Sequence, residues 1–266
     1  MRFVVTGTPR SATRYAAALF EKLDVPCTHE KLFRPQSQLV DVSRWDAHGE
    51  SGESSWMAWA FLGALQTPIA CFHTMRNPWA VIDSLAHRNQ VIQEHAQPSE
   101  HQKRMRATIE AYCPRVFTYD APVNRAAALV VDWNRVIAVA ARRHATIYHP
   151  FHVERLTPNA VHEMLSLIGV TRDDAVVRRA LENVSTRTNR GRILKHGQPL
   201  SHPGIQAYAE QLAKARGLRL TTQSVSLPEE EKAPAEIAGM MDPALCGEVN
   251  AYAERHGYET VAAVAA

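Results

Sequence analysis

Residues 3–14 read Phe-Val-Val-Thr-Gly-Thr-Pro-Arg-Ser-Ala-Thr-Arg. Phe3 to Thr6 is a short β-branched, apolar run that predicts a buried strand ending at Gly7. Ser11 then stands where a side chain caps a helix. Tyr15, Ala16, Leu19, Phe20 and Leu23 recur at helical spacing and give that helix one apolar face. A strand, a tight loop and a helix in this order present backbone N–H groups and the positive end of a helix dipole to an anion. The nucleotide-triphosphatase pattern requires Gly, then Lys, then Ser or Thr; Ala12, Thr13 and Arg14 stand in those places. The lysine for the β/γ-phosphates and the hydroxyl for magnesium are therefore missing, which counts against a kinase or ATPase. Arg10 still offers a permanent, forked positive charge, and Ser11 and Thr13 offer hydroxyls. A capped strand-to-helix turn with no ligand is the plain alternative.

Working outward, Val25–Thr28 reads as a second strand and Ile69–Met75 as a third, bounded by Pro68 and by Arg76-Asn77-Pro78. Pro78 suits the first turn of a helix whose apolar face carries Trp79, Ile82 and Ala86. Arg125–Arg143 predicts a long helix, and Ala145–His149 a strand. Pro158–Ile168 and Asp173–Val184 predict further helices, separated by Gly169. Strands alternating with helices imply an α/β fold, a three-layer parallel sheet flanked by helices. Neither a repeat nor a linker divides the chain, so a single domain over 1–266 is expected. It includes a loop-rich basic segment at 186–236 around one helix, 205–216, and a C-terminal helix at 243–256.

Composition narrows the classes. The chain has 266 residues, of which 45% are hydrophobic and 21% charged, values of an ordinary globular protein and not of a disordered or fibrous one. A formal charge of +3 is too small to imply nucleic-acid binding, but it is unevenly spread. Residues 172–219 hold ten Lys/Arg against four Asp/Glu, and residues 220–266 hold two against eight. No stretch reaches the ~18 apolar residues of a membrane helix, and MRFVVTGTPR does not read as a signal peptide. Cys27, Cys71, Cys113 and Cys246 form no CxxC pair, so buried free thiols in a reducing cytoplasm are expected and a zinc site is not. The 13 histidines are numerous, and no motif accounts for most of them.

A second motif follows the third strand. Arg76 lies at the C-terminal end of that strand, where open α/β sheets bind ligands, and Ser84 stands about two turns into the next helix. Here the chain resembles the sulfotransferases that use 3′-phosphoadenosine 5′-phosphosulfate. In that family a Pro-Arg/Lys-Ser-Gly-Thr loop cradles the 5′-phosphosulfate, and a later Arg-Asn/Asp-Pro segment holds the 3′-phosphate through its Arg and a following Ser. Pro9-Arg10-Ser11-Ala12-Thr13 and Arg76-Asn77-Pro78 with Ser84 occur here in the family's order. Ala12 replaces the usual Gly, and Arg14 stands where Thr or Ser is common. Thr28-His29-Glu30 resembles the Gly-His-Glu segment of bacterial members, Ser55-Trp56 a Ser-Trp element, and His152-Val153-Glu154-Arg155-Leu156 a Tyr-Glu-Asp-Leu stretch. The resemblance covers roughly residues 3–170 and returns faintly at Tyr252–Tyr258.

The resemblance implies a P-loop-like sulfotransferase fold and sulfuryl transfer from 3′-phosphoadenosine 5′-phosphosulfate, with no metal required. The acceptor is a hydroxyl or amine on a small molecule, a carbohydrate or a glycolipid. It assigns Pro9, Arg10, Ser11, Ala12, Thr13 and Arg14 to the 5′-phosphate loop, with Arg10 stabilising the departing phosphate, and Arg76 and Ser84 to the 3′-phosphate. Glu30 is the favoured base and His29 the next. Trp56 is the better adenine wall, because Trp79 reads as its helix's core anchor. Arg190, in the loop Thr186–Gly191, is placed to close on the 3′-phosphate. His73, inside a strand, reads as core. The acceptor pocket is expected from 34–55, 89–124 and 195–235. Rival readings are a degenerate nucleotide or sugar kinase and a non-catalytic nucleotide-binding protein. Nucleic-acid binding through 187–195 is disfavoured, since that basic run lacks interleaved aromatics.

Overall fold

A computed structural model describes residues 1–33, 45, 52–65, 67–93, 97–184 and 232–261. The β-branched run forms strand β1, Arg2–Thr6. Its companions are β2 (Cys27–His29), β3 (Gly52–Ser54), β4 (Ile69–Met75) and β5 (Ile147–His152), all parallel, in the order β2-β3-β1-β4-β5. Alternate side chains of β1 and β4 enter opposite layers. Val4, Ile69 and Cys71 join one core, while Phe3, Val5, Ala70 and Phe72 join the other. Helices α1 (Thr13–Lys22), α6 (Pro158–Leu167) and α7 (Asp174–Asn183) cover the second face through Leu19, Phe20, Val161, Leu165 and Val177. Helices α2 (Pro78–Arg88), α5 (Pro122–His144) and α9 (Pro243–Arg255) cover the first through Trp79, Ile82, Trp133, Ile137 and Val249. Three short or polar helices complete the set: α3 (Gln90–Gln93), α4 (Glu100–Tyr112) and α8 (Pro234–Gly239). The chain is thus α/β, a parallel sheet between two helical layers, as expected. The described residues belong to one compact unit, Met1–Thr188 with Glu231–Ala266.

Local signals explain most boundaries. The Asn77 side chain accepts from Trp79 N and Pro78 occupies the first turn of α2. Asp242 caps α9 by accepting from the Ala244 and Leu245 N–H groups. Two elements run against expectation. Strand β3 was not anticipated because Gly52-Glu53-Ser54 has no apolar residue, yet all three are buried. A Cβ at Gly52 would lie 2.2 Å from the Phe3 ring, so glycine lets β1 and β3 meet. Helix α4 falls in the expected loop 89–124. Only Ile109 among its residues is buried, so it has no apolar stripe; a Ser99–Gln102 capping box and the pairs Lys103–Glu100 and Arg106–Glu110 support it. Strand β5 lies later than the expected 145–149 and contains Pro150, tolerated on an edge strand. The expected helix 205–216 and most of the basic segment 186–236 lie outside the described residues. No described helix is long and apolar enough to cross a membrane.

His73 lies within β4, 1% exposed, as a core residue. Asn134 Nδ2 donates to Val130 O, which turns its Oδ1 toward His73 Nε2 at 2.8 Å. His73 therefore donates from Nε2 and accepts at Nδ1 from the Tyr148 hydroxyl at 2.9 Å. Burial, aided by nearby His256, lowers its pKa from 6.5 to about 4. The unfolded chain binds that proton more readily, so this contribution is complete above pH 6.5 and disappears as pH falls toward 4. In urea unfolding, His73→Gln should be less stable than wild type at pH 7, with the gap shrinking by about 3 kcal/mol by pH 4. A gap independent of pH would contradict this.

Candidate functional site

The site grows from the loop between β1 and α1. A Cβ at Gly7 would stand 2.0 Å from Thr74 Oγ1, 2.2 Å from Ser11 Oγ and 2.9 Å from the Thr74 carbonyl. Only glycine fits that crossing. Thr74 Oγ1 donates to Thr6 O at 3.1 Å, so Ser11 Oγ donates to Thr74 Oγ1 at 2.9 Å. This corrects the reading of Ser11 as the cap of α1. Its hydroxyl stitches the loop to β4, and the capping position of α1 falls on Ala12, which provides no side-chain cap. Arg10 and Ala12 both adopt φ 74°. Left-handed residues alternating with ordinary ones form the backbone nest that presents N–H groups to an anion. Ala12 holds this conformation at a cost of about 1–2 kcal/mol that Gly would avoid. Beside it, Thr8 Oγ1 is buried without a hydrogen-bond partner.

Two further strand ends meet this loop. From β4, Arg76 Nη1 donates to Arg10 O at 3.1 Å, and Arg10 Nε donates to Ser84 Oγ at 2.9 Å. Arg10 is thus joined to Arg76 and Ser84, 66 and 74 residues away in sequence, in one connected group. From β2, His29 Nε2 lies 3.3 Å from Thr13 Oγ1 and 3.9 Å from Glu30 Oε1. Burial, reinforced by the Arg14 charge, lowers the His29 pKa to about 4, so its ring is neutral at neutral pH. Glu30 is left-handed at φ 51°, and its N–H donates to Ser54 O at 3.0 Å. Every member sits at the C-terminal edge of the sheet, around β1, where the strand order reverses. The arrangement offers two permanent cations, hydroxyls and a helix start to a small polyanion, with a proton acceptor on its other side.

The remaining expectations divide. Pro9 is buried within the loop and Arg14 is exposed at its edge. Trp56 is 5% exposed, its ring 5.1 Å from that of Trp133, and its carbonyl accepts from Trp133 Nε1. It packs as an anchor of the aromatic core. Trp79 is equally enclosed, and its Nε1 donates to Glu259 O. Arg190 lies outside the described residues. Glu154 lies in the stretch 152–156 of the sequence resemblance, which assigns it no role of its own. Its carboxyl oxygens accept from Asn77 N at 3.0 Å and the Tyr258 hydroxyl at 3.1 Å, and one lies 3.5 Å from Arg76 Nε. The stretches 152–156 and 252–258, both part of the sequence resemblance, therefore meet at Glu154 beside Arg76.

Gly7→Ala should cost about 2–3 kcal/mol or more in urea unfolding, because the Thr74 carbonyl is strand backbone and cannot yield cheaply. Wild-type stability in that variant would contradict the described crossing.

No family model matches the chain, and no curated protein does. Among solved structures, the chain is similar to mouse sulfotransferase SULT7A1 complexed with PAP, at TM-score 0.42 and 11% identity over 69% of this chain and 64% of that one. It is also similar to the sulfotransferase domain of the Synechococcus PCC 7002 olefin synthase, at 0.47 and 13% identity over 98% and 95%. The sulfotransferase domain from the curacin biosynthetic pathway overlaps at 0.49 and 13% over 98% of each chain. The chain spans less than two thirds of the mouse protein's length. All three are sulfotransferases or sulfotransferase domains, but overlaps this loose assign neither an activity nor a donor to this chain.

Proposed function

We propose that this chain transfers a sulfuryl group from 3′-phosphoadenosine 5′-phosphosulfate to a hydroxyl or amine of a small-molecule or glycan acceptor. The observation that carries the reading is the hydrogen-bonded group Arg76–Arg10–Ser84, closed across 66 and 74 residues of sequence at the centre of the sheet edge. It is the pair of motifs of the sequence resemblance, brought together. The loop suits an anion on its own features. Thr8 Oγ1 is a buried polar atom without a partner, and Gly7 leaves no room for a side chain at the loop's base.

In this reading the loop N–H groups of Arg10, Ala12 and Thr13, the start of α1 and the Arg10 guanidinium hold the 5′-phosphate end, and Arg76 with Ser84 holds the 3′-phosphate; the Ser11 N–H is taken by Thr8 O at 2.9 Å. The donor supplies the sulfuryl group and departs as adenosine 3′,5′-bisphosphate. Arg10 and the loop amides stabilise negative charge at the 5′ end; such preset electrostatics carry most of the catalysis in related group transfers. Glu30 takes the acceptor's proton. His29, uncharged at neutral pH, stands between Glu30 and the Thr13 hydroxyl and adds no competing positive charge.

At a hundredfold excess over Kd, adenosine 3′,5′-bisphosphate should raise Tm by about 5–10 °C, and magnesium ATP should not. No shift with the bisphosphate at millimolar concentration, or a larger one with magnesium ATP, would overturn the proposal. Glu30→Gln should lower kcat by about 10²–10⁴-fold while bisphosphate affinity stays within about twofold. Full turnover in that variant would reject Glu30 as the base.

A further inference from the structure

Strand β3, the element without an apolar residue, places Glu53 in the interior at 0% exposure. A buried carboxyl group is rare and costly unless its oxygens are satisfied. Here Oε2 accepts from the Thr28 hydroxyl, and Oε1 accepts from Lys31 N at 2.7 Å and Leu32 N at 3.0 Å. No basic side chain pairs with it among the described residues. All three donors belong to one short segment, residues 28–32, the end of β2 and the bend after it, and that segment carries His29 and Glu30. An apolar residue would pack β3 without the desolvation cost; what Glu53 adds is the shape of the turn, including the left-handed Glu30.

The next residue completes the geometry. Ser54 O accepts from Glu30 N at 3.0 Å, and Ser54 Oγ donates to Thr13 O at 2.6 Å. Consecutive residues of β3 thus grip the proton-accepting turn and the phosphate loop, and the His29–Thr13 contact spans the gap between them. We infer that Glu53 is a positioning residue: its buried carboxyl group gathers Thr28, Lys31 and Leu32 and so fixes His29 and Glu30 against the phosphate loop. The inference rests on the reading of Glu30 and His29 as the proton-accepting pair, and it adds a residue that touches neither donor nor acceptor.

The test compares Glu53→Ala with Glu53→Gln, which keeps the oxygen that accepts from Lys31 and Leu32. Misplacing a reacting group by about 1 Å costs on the order of 10²-fold. Glu53→Ala should therefore lower kcat about 10- to 100-fold, with bisphosphate affinity within about twofold, and Glu53→Gln should restore most of the loss. A second readout needs no donor. In side-chain NMR titration, His29 of the wild type should titrate near pH 4. In Glu53→Ala it should move toward the ordinary 6.5, while in Glu53→Gln it should stay low. A folded Glu53→Ala chain with His29 still near its wild-type pKa, or with kcat and bisphosphate affinity falling together, would overturn the inference. If Glu53→Ala does not fold, Thr28→Val removes one donor and should raise the His29 pKa part of the way; no rise would overturn it equally. Wild-type protein that neither binds the bisphosphate nor turns over would sink the proposed function, while the His29 titration would still decide the role of Glu53.

Discussion

The strand-end architecture depends on the missing side chain at Gly7. Because nothing projects from that position, the loop after β1 passes against β4, and the Ser11 and Thr74 hydroxyls meet in the space a Cβ would take. That stitch sets the path of Arg10, whose carbonyl is then within reach of Arg76 and whose guanidinium is within reach of Ser84. A few hydrogen bonds of ordinary strength, each worth about 1 kcal/mol net, therefore decide where two permanent charges stand. Two non-glycine residues in left-handed backbone complete the loop, a local cost of the kind that collects where a chain binds or reacts.

The site is assembled from polar residues of very short strands, while the apolar strands do the packing. Strands β1 and β4 are buried throughout their apolar lengths and hold the two helical layers together. Strands β2 and β3 have three residues each; Thr28 of β2 bonds Glu53 of β3, while His29 and Ser54 each contact Thr13 at the start of α1. The sheet's far edge contributes Glu154, which accepts from Asn77 N and Tyr258 and lies beside Arg76. The C-terminal segment is thereby tied to the cationic group through Tyr258. Charge is concentrated accordingly: a formal +3 describes the whole chain poorly, because the guanidinium groups that matter stand at two strand ends.

Much of this was legible where one physical signal dominated. The β-branched run at 3–6, the apolar run at 69–75 and the 3.6-residue periodicities of α1, α5 and α9 are burial patterns, and burial determined those elements. Asn77-Pro78 marked a helix start that the structure reproduces. The readings failed where burial and polarity part company. Gly52-Glu53-Ser54 looks like loop because its stability comes from hydrogen bonds and backbone pairing, and helix α4 looks like loop because its support is capping and ion pairs. Local spacing makes Ser11 look like a cap, but a partner 63 residues away takes its hydroxyl. Long-range pairings of this kind leave no trace in local pattern.

The proposed function stands on Arg76 and Ser84, joined to the loop through Arg10, holding a second phosphate besides the one at the loop amides. It is tested most directly by comparing the affinities of adenosine 3′,5′-bisphosphate and adenosine 5′-monophosphate in wild type and in Arg76→Ala. A charge-assisted phosphate contact is worth about 1.5–3 kcal/mol, so the wild type should prefer the bisphosphate by roughly 10- to 100-fold. Arg76→Ala should bring that preference to about threefold or less while leaving monophosphate affinity nearly unchanged. Equal affinity for the two nucleotides in the wild type, or a preference that survives Arg76→Ala, would contradict the assignment.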